Sequence, residues 1–182
     1  MRLFNVFAAI LLVLSMTGCG FHLRNFDSSN DGVLPFSTIS IQGSGGSADA
    51  IRHKLTMLSN LKQLANAEQA QVSITLSDEK IQQKILAVNR NGRVSDYRLY
   101  LHVTYSITYQ GKTLLAEGKL QIFRDYSYND NVILGKQAEK DMLIQDMYHD
   151  AATQILRRAT ALVQHVPQPS PNTAAIVAPT PA

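Results

Sequence analysis

Apolar and polar residues alternate without a fault from Tyr97 to Tyr109. Tyr97, Leu99, Leu101, Val103, Tyr105, Ile107 and Tyr109 fill the odd positions, and Arg98, Tyr100, His102, Thr104, Ser106 and Thr108 the even ones. A period of two places the odd set on one face of a strand and the even set on the other. The run is long against the usual strand of about five or six residues. Asn91-Gly92 precedes it and Gln110-Gly111 follows it, and both pairs suit hairpin turns that need positive φ. Upstream, Val72, Ile74 and Leu76 alternate with Ser73, Thr75 and Ser77. Downstream, Leu114 to Tyr126 sets Leu114, Ala116, Leu120 and Ile122 on one face. Gly118 shares that face and predicts a bulge or a close approach of another group. A shorter strand is expected over Ser37 to Gln42, where Ile39 and Ile41 alternate with polar neighbours before Gly43-Ser44-Gly45-Gly46.

Two stretches follow a helical period instead. Ser47 is placed to cap a helix carrying Ile51, Leu55 and Leu58, with Asp49 in its first turn, and Leu61 and Leu64 extend the same face. A longer helix is expected from about Lys136 to Gln164, where Ile144, Tyr148, Ala151, Ile155, Ala159 and Leu162 recur at steps of three and four. The order is β-α-β-β-β-α. Its expected form is an α+β two-layer sandwich, a mostly antiparallel four-stranded sheet with both helices on one face. The other sheet face carries His102, Thr104, Ser106, Glu117, Lys119 and Gln121. Such a face is either solvated or offered to a partner.

The two ends of the chain are of another kind. After Met1 and Arg2, Leu3 to Met16 is an apolar run broken only by Asn5 and Ser15. It is too short for a membrane-spanning helix, which takes about 20 apolar residues, and fits the hydrophobic region of a signal peptide. Thr17 and Gly18 lead directly to Cys19, the single cysteine of the 182 residues. This resembles a bacterial lipobox, with Met16 where Leu is usual. The reading implies cleavage after residue 18, a diacylglycerol and an N-acyl chain on Cys19, and a lipid-anchored protein. Gly20 in place of Asp resembles the sorting signal for an outer-membrane destination. Residues 19–32 then read as a lipidated linker and 33–165 as one domain. Five of the six prolines lie beyond residue 166, so 166–182 is expected to be a disordered tail.

Composition excludes several functions. A single cysteine permits no internal disulfide and no multi-cysteine metal site. The net charge of +3 is too small to point to nucleic acid. No two of the five histidines have the i,i+4 spacing of a helical metal site, and no phosphate loop or nucleophile motif is present. His149, beside Asp150 and near Asp146, reads as a surface histidine. Asp125, Asn129, Asp130 and Asn131 lack the distal Glu of a calcium loop. Neither an enzyme nor a resident cofactor is expected. One cluster stands above this background: Lys84, Arg90, Arg93 and Arg98 with only Asp96 between them. Arg90 and Arg93 flank the Asn91-Gly92 turn, where guanidinium forks suit phosphate and carboxylate oxygens. A solvated, charged hairpin tip fits the same residues.

A family resemblance bears on that choice. Cys19-Gly20-Phe21-His22-Leu23-Arg24, Asn89-Arg90-Asn91-Gly92 leading to Asp96-Tyr97, Phe123-Arg124, and Asp141-Met142 through Asp146-Met147-Tyr148 to Ala151-Ala152 together resemble the LPS-assembly lipoprotein LptE family. Phe21 stands where that family often has Trp, and Asn25 where Gly or Asp is common. The resemblance implies an outer-membrane lipoprotein on the periplasmic side, in a 1:1 complex with the LptD barrel. It would plug that barrel, assist its assembly and bind lipopolysaccharide during transport to the cell surface. It further implies that Arg90 and Lys136 contact the lipid's anions, whereas Arg93 and Lys84 are candidates from charge alone. A structural plug or chaperone with no lipopolysaccharide site is the alternative.

Overall fold

The protein is described by a computed structural model over residues 34–128 and 133–167. The 1–18 leader, the 19–32 linker with Cys19, the residues Asn129, Asp130 and Asn131, and the tail beyond Pro167 lie outside the described residues. The elements in chain order are β1 (Thr38–Gln42), α1 (Gly46–Thr56), β2 (Lys62–Gln63), a 3-10 turn (Ala67–Gln69), β3 (Val72–Val88), β4 (Val94–Tyr109), β5 (Lys112–Ser127) and α2 (Ile133–Gln164).

The sheet has five strands in the order β2-β1-β3-β4-β5, and it is mixed. β1 runs parallel to both β2 and β3, whereas β3, β4 and β5 form an antiparallel meander. This corrects the expected four-stranded sheet. Leu61 and Leu64, expected to extend the first helix, instead flank β2. The Lys62 N–H donates to the Ser37 carbonyl (2.9 Å) and the Leu64 N–H to that of Ile39 (2.8 Å). A two-residue strand has no side-chain period, so only its backbone pairing reveals it.

The meander follows its pattern closely. On β4, Leu99, Leu101, Val103 and Ile107 are fully buried, each burial contributing about 1.5–3 kcal/mol. Gln110 and Gly111 both take positive φ (48° and 75°) in the β4–β5 turn, as a two-residue hairpin loop requires. The close approach expected at Gly118 is that of the Tyr105 ring, whose Cζ would lie 2.7 Å from an added Cβ. α2 starts at Ile133, three residues before the expected Lys136. Its buried stripe is Met147, Ala151, Ala152, Ile155, Leu156, Ala159 and Val163, while Ile144, Tyr148 and Leu162 flank it. The small alanines let α2 lie close to α1, which buries Ala48, Ala50, Ile51 and Leu55. At about 1.5 Å per residue, α2 is roughly 48 Å long.

A register shift between Leu76 and Asp78 decides what happens at the start of α1. One extra residue switches the helix-facing set of β3 from Val72, Ile74 and Leu76 to Glu79 and Ile81, which pair with Val103 and Leu101. Glu79 is thereby turned toward the helices. Its carboxylate accepts the Gly46 N–H (2.8 Å) and the Ser47 N–H (2.9 Å), the first donors of α1. Ser47, expected as the cap, lies inside the helix with its hydroxyl buried and unpartnered among the described residues. The residue ahead of the helix is Gly45, with φ of 120° and no side chain to cap with. A Cβ there would sit 2.6 Å from Glu79 Oε1, and one on Gly46 would meet the Tyr148 ring at 2.2 Å. The glycine pair makes room for a cap supplied by another strand.

Replacing Glu79 by Ala is expected to lower the unfolding free energy by about 1–2 kcal/mol, the range for losing a charged helix cap. Urea melts read this as a lower midpoint at unchanged slope, and Glu79→Gln recovers part of the loss. Equal stability of Glu79→Ala and the parent chain would show that the cap contributes nothing.

Candidate ligand-binding end

Beyond the Gln83–Leu99 pair the β3–β4 hairpin projects past the core, and Ile85, Leu86 and Val88 are exposed on it. Its turn is built by Asn89. The Asn89 Oδ1 accepts the N–H groups of Asn91 (2.9 Å) and Arg93 (3.1 Å), and the Asn89 N–H donates to the Arg93 carbonyl (2.7 Å). Gly92 takes φ of 74°. Arg90 is exposed at the tip of this loop.

Lys136, in the first turn of α2, reaches the same end of the molecule. Its Nζ donates to Ser127 Oγ (3.1 Å) at the end of β5 and to Glu139 Oε2 (2.6 Å). Ser127 pairs with Asp96, and Asp96 with Ala87, three residues from Arg90. At about 3.3 Å per residue, roughly 10 Å of hairpin separates the two rows. Arg90 and Lys136 therefore converge at one end. Lys84 does not join them. It points to the face opposite the helices, where its Nζ lies 5.2 Å from the centroid of the Tyr100 ring.

That open face differs from expectation in its distal half. It is polar near Thr104 and Lys119 but aromatic further out. Tyr100 stacks on His102 (6.0 Å between centroids) and packs near Phe123 (6.5 Å), which is 51% exposed. Arg98 lies 4.7 Å from the Phe123 ring and forks onto Asp125 through Nε and a terminal nitrogen (2.6 and 2.7 Å). The fork raises the Arg98 guanidinium above its ordinary range and holds the Asp125 carboxyl below the usual carboxylate range.

The middle of α2 is fixed to the sheet edge by Arg124 on β5. Its guanidinium donates to Asp146 (2.8 and 3.0 Å) and to Asp150, one helical turn on. Bonding to Asp150 first, and Asp146 second, raises the arginine. Between this clamp and the hairpin lies a cleft of about 190 Å³ lined by Gln83, Tyr97, Tyr126, Tyr128, Lys136, Gln137 and Lys140. Tyr97 stacks on Tyr126 (5.6 Å, 26°) and meets Tyr128 edge-on (5.3 Å, 80°). Burial, with Tyr97, Tyr128 and Glu139 nearby, pushes the Tyr126 phenol up. Sequence reasoning missed the cleft, although Tyr126 and Tyr128 at a spacing of two and Lys136 and Lys140 at a spacing of four were signals for it. Among the described residues no three His, Cys, Asp or Glu side chains converge as a metal site. The arrangement offers cations, amides and aromatic faces, which bind anions and polar rings.

Comparison with known proteins agrees over most of the chain. The sequence profile of the LptE family, described as lipopolysaccharide-assembly, matches residues 36–159. The LPS-assembly lipoprotein LptE of Yersinia enterocolitica is 29% identical over 149 residues, covering 81% of this chain and 71% of that protein. Its namesake from Yersinia pestis is 28% identical over a stretch of the same length. The solution structure of an uncharacterized lipoprotein B from Nitrosomonas europaea superposes with a TM-score of 0.64 at 26% identity, over 74% of this chain and 88% of that one. The crystal structure of rare lipoprotein B from Shewanella oneidensis has the same fold (TM-score 0.62, 23% identity, 70% of this chain and 97% of that one).

The Arg98–Asp125 fork has a pH signature. Asp125 titrates lower in the folded than in the unfolded chain, so the pair stabilises the fold above the unfolded value and is lost as pH falls through the folded one. A carboxyl NMR titration is expected to place the Asp125 midpoint below that of an ordinary aspartate, and Arg98→Gln to raise it. An Asp125 midpoint that Arg98→Gln leaves unchanged would contradict the fork.

Proposed function

The chain belongs to the LptE lipopolysaccharide-assembly family, and from that premise we propose that it is an outer-membrane lipoprotein that plugs the LptD barrel, assists its assembly and binds lipopolysaccharide. In this reading the chain is cleaved before Cys19, which carries the acyl chains and holds the protein to the periplasmic side of the outer membrane. Three chains at about 0.8 kcal/mol per buried methylene make a firm anchor. The observation that carries the lipopolysaccharide reading is the convergence of Arg90 at the hairpin tip and Lys136 at the base of α2. Two cations on one end, with the aromatic and amide side chains of the cleft beside Lys136, suit the phosphorylated headgroup of a glycolipid. The open sheet face, with Thr104, Lys119 and Gln121 exposed or half-exposed, suits the polar lumen of a large barrel.

One observation favours a second reading. Lys136 is already paired with Glu139 at 2.6 Å, as in a residue that merely fastens the start of a helix. A structural plug and chaperone needs nothing more from it.

The two readings separate in one experiment on the acylated protein purified from outer membrane. Charge reversal at Arg90 and Lys136 is expected to weaken lipopolysaccharide binding by at least tenfold, since each charge-assisted contact contributes about 1.5–3 kcal/mol. Co-purification of the barrel is expected to persist. Unchanged lipopolysaccharide binding would leave only the structural reading, and recovery of the parent chain without a barrel partner would count against both.

A further inference from the structure

We propose that the cleft between the first turns of α2 and the Tyr97–Tyr126–Tyr128 cluster binds one phosphorylated sugar ring, whose phosphate displaces Glu139 from Lys136 and is shared with Lys140. The inference rests on the lipopolysaccharide reading above and assigns the part of that ligand the cleft takes.

At about 190 Å³ the cleft is smaller than the roughly 300–1,000 Å³ of pockets that enclose a drug-sized molecule, and it suits a single ring. Tyrosine rings present apolar faces to the C–H groups of a sugar while their hydroxyls stay available for hydrogen bonds, and the amides of Gln83 and Gln137 supply donors and acceptors for sugar hydroxyls. Ile85, directly across from Tyr97 and 61% exposed, extends an apolar margin from the cleft toward the hairpin tip. An amphiphile fits that margin better than a free sugar does.

Lys136 and Lys140 lie one turn apart near the N-terminus of α2, a position the helix dipole makes unfavourable for cations. No acidic residue occurs in that first turn. Glu139 is the anion that faces Lys136, and its side chain is 43% exposed. It can therefore swing into solvent at little cost. Lys140 has no hydrogen bond or ion pair among the described residues. With Glu139 in place the three side chains sum to +1, and a phosphate monoester carrying about −1.5 to −2 at pH 7 is the complementary ligand once Glu139 moves away.

The test uses the full acylated chain, with glucosamine 1-phosphate, inorganic phosphate, glucosamine and intact lipopolysaccharide as probes. Glucosamine 1-phosphate is expected to bind more tightly than either phosphate or glucosamine alone. Glu139→Gln is expected to tighten that binding about three- to fivefold, because the internal competitor is gone. Lys140→Ala is expected to weaken it about tenfold. Both substitutions are at partly exposed side chains outside the core, so a melting curve at the parent temperature certifies the fold. Tightening by Glu139→Gln is the result a merely structural Lys136–Glu139 pair would not give. Inorganic phosphate binding as tightly as the sugar phosphate, or Glu139→Gln without effect, would overturn the cleft assignment. Lipopolysaccharide binding in the same preparation would then still stand as support for the broader reading. Loss of lipopolysaccharide binding by the parent chain would instead overturn that reading and this inference with it.

Discussion

The carboxylate of Glu79 is where the parts of the fold meet. It caps α1 from a neighbouring strand, through two amide bonds of 2.8 and 2.9 Å, and it lies close enough to Tyr148 of α2 to help raise that phenol after burial has done most of it. One side chain of β3 thus sets the entry of α1, and its charge is felt on the flank of α2. Its position depends on the extra residue between Leu76 and Asp78. Without that bulge the alternation of Val72, Ile74 and Leu76 would continue and turn Glu79 to the open face.

The same bulge marks a change in what the sheet does. Before it, β3 is buried against the helices. After it, β3 carries polar residues while β4 stays buried through Leu99, and beyond the Gln83–Leu99 pair both strands leave the core with polar, aromatic and exposed apolar residues. The projecting half is stiffened by surface pairs rather than by a core: Arg98 with Asp125 across β4 and β5, and Arg124 with Asp146 and Asp150 between β5 and α2. Exposed ion pairs contribute little each, about 0.2–1 kcal/mol, but Arg124 engages two carboxylates one turn apart in the middle of α2 and so ties the helix to the sheet edge. Nearer the start of the helix, Lys136 and Lys140 line one cleft with the tyrosines. A rigid end of this kind presents cations and rings in a preset arrangement, which lowers the entropic cost of binding.

Much of this was legible in the chain. The faultless alternation from Tyr97 to Tyr109 gave β4 and its buried face, the Asn91-Gly92 and Gln110-Gly111 pairs gave both hairpins, and Arg90 was correctly placed at an exposed tip. The less legible features have physical reasons. β2 is a backbone pairing of two residues, with no period to read. The cap on α1 comes from a residue 33 positions away, whereas local rules look for it next to the helix. Lys84 counted with the tip cluster in the sequence, yet strand parity sends it to the open face beside Tyr100. The tyrosine cleft joins β3, β4, β5 and α2, so its members are neighbours only once the sheet has formed and α2 has packed on it.

The central claim is that ligand is held at the end formed by the distal hairpin and the first turns of α2. Its most direct test is amide and side-chain chemical-shift mapping on the isotope-labelled acylated chain titrated with lipopolysaccharide. Shifts are expected at Arg90, Tyr97, Tyr126, Lys136 and Lys140, with β1 and α1 unmoved. Shifts confined to β1 and α1, or the same shifts with a lipid that carries no phosphate, would contradict it.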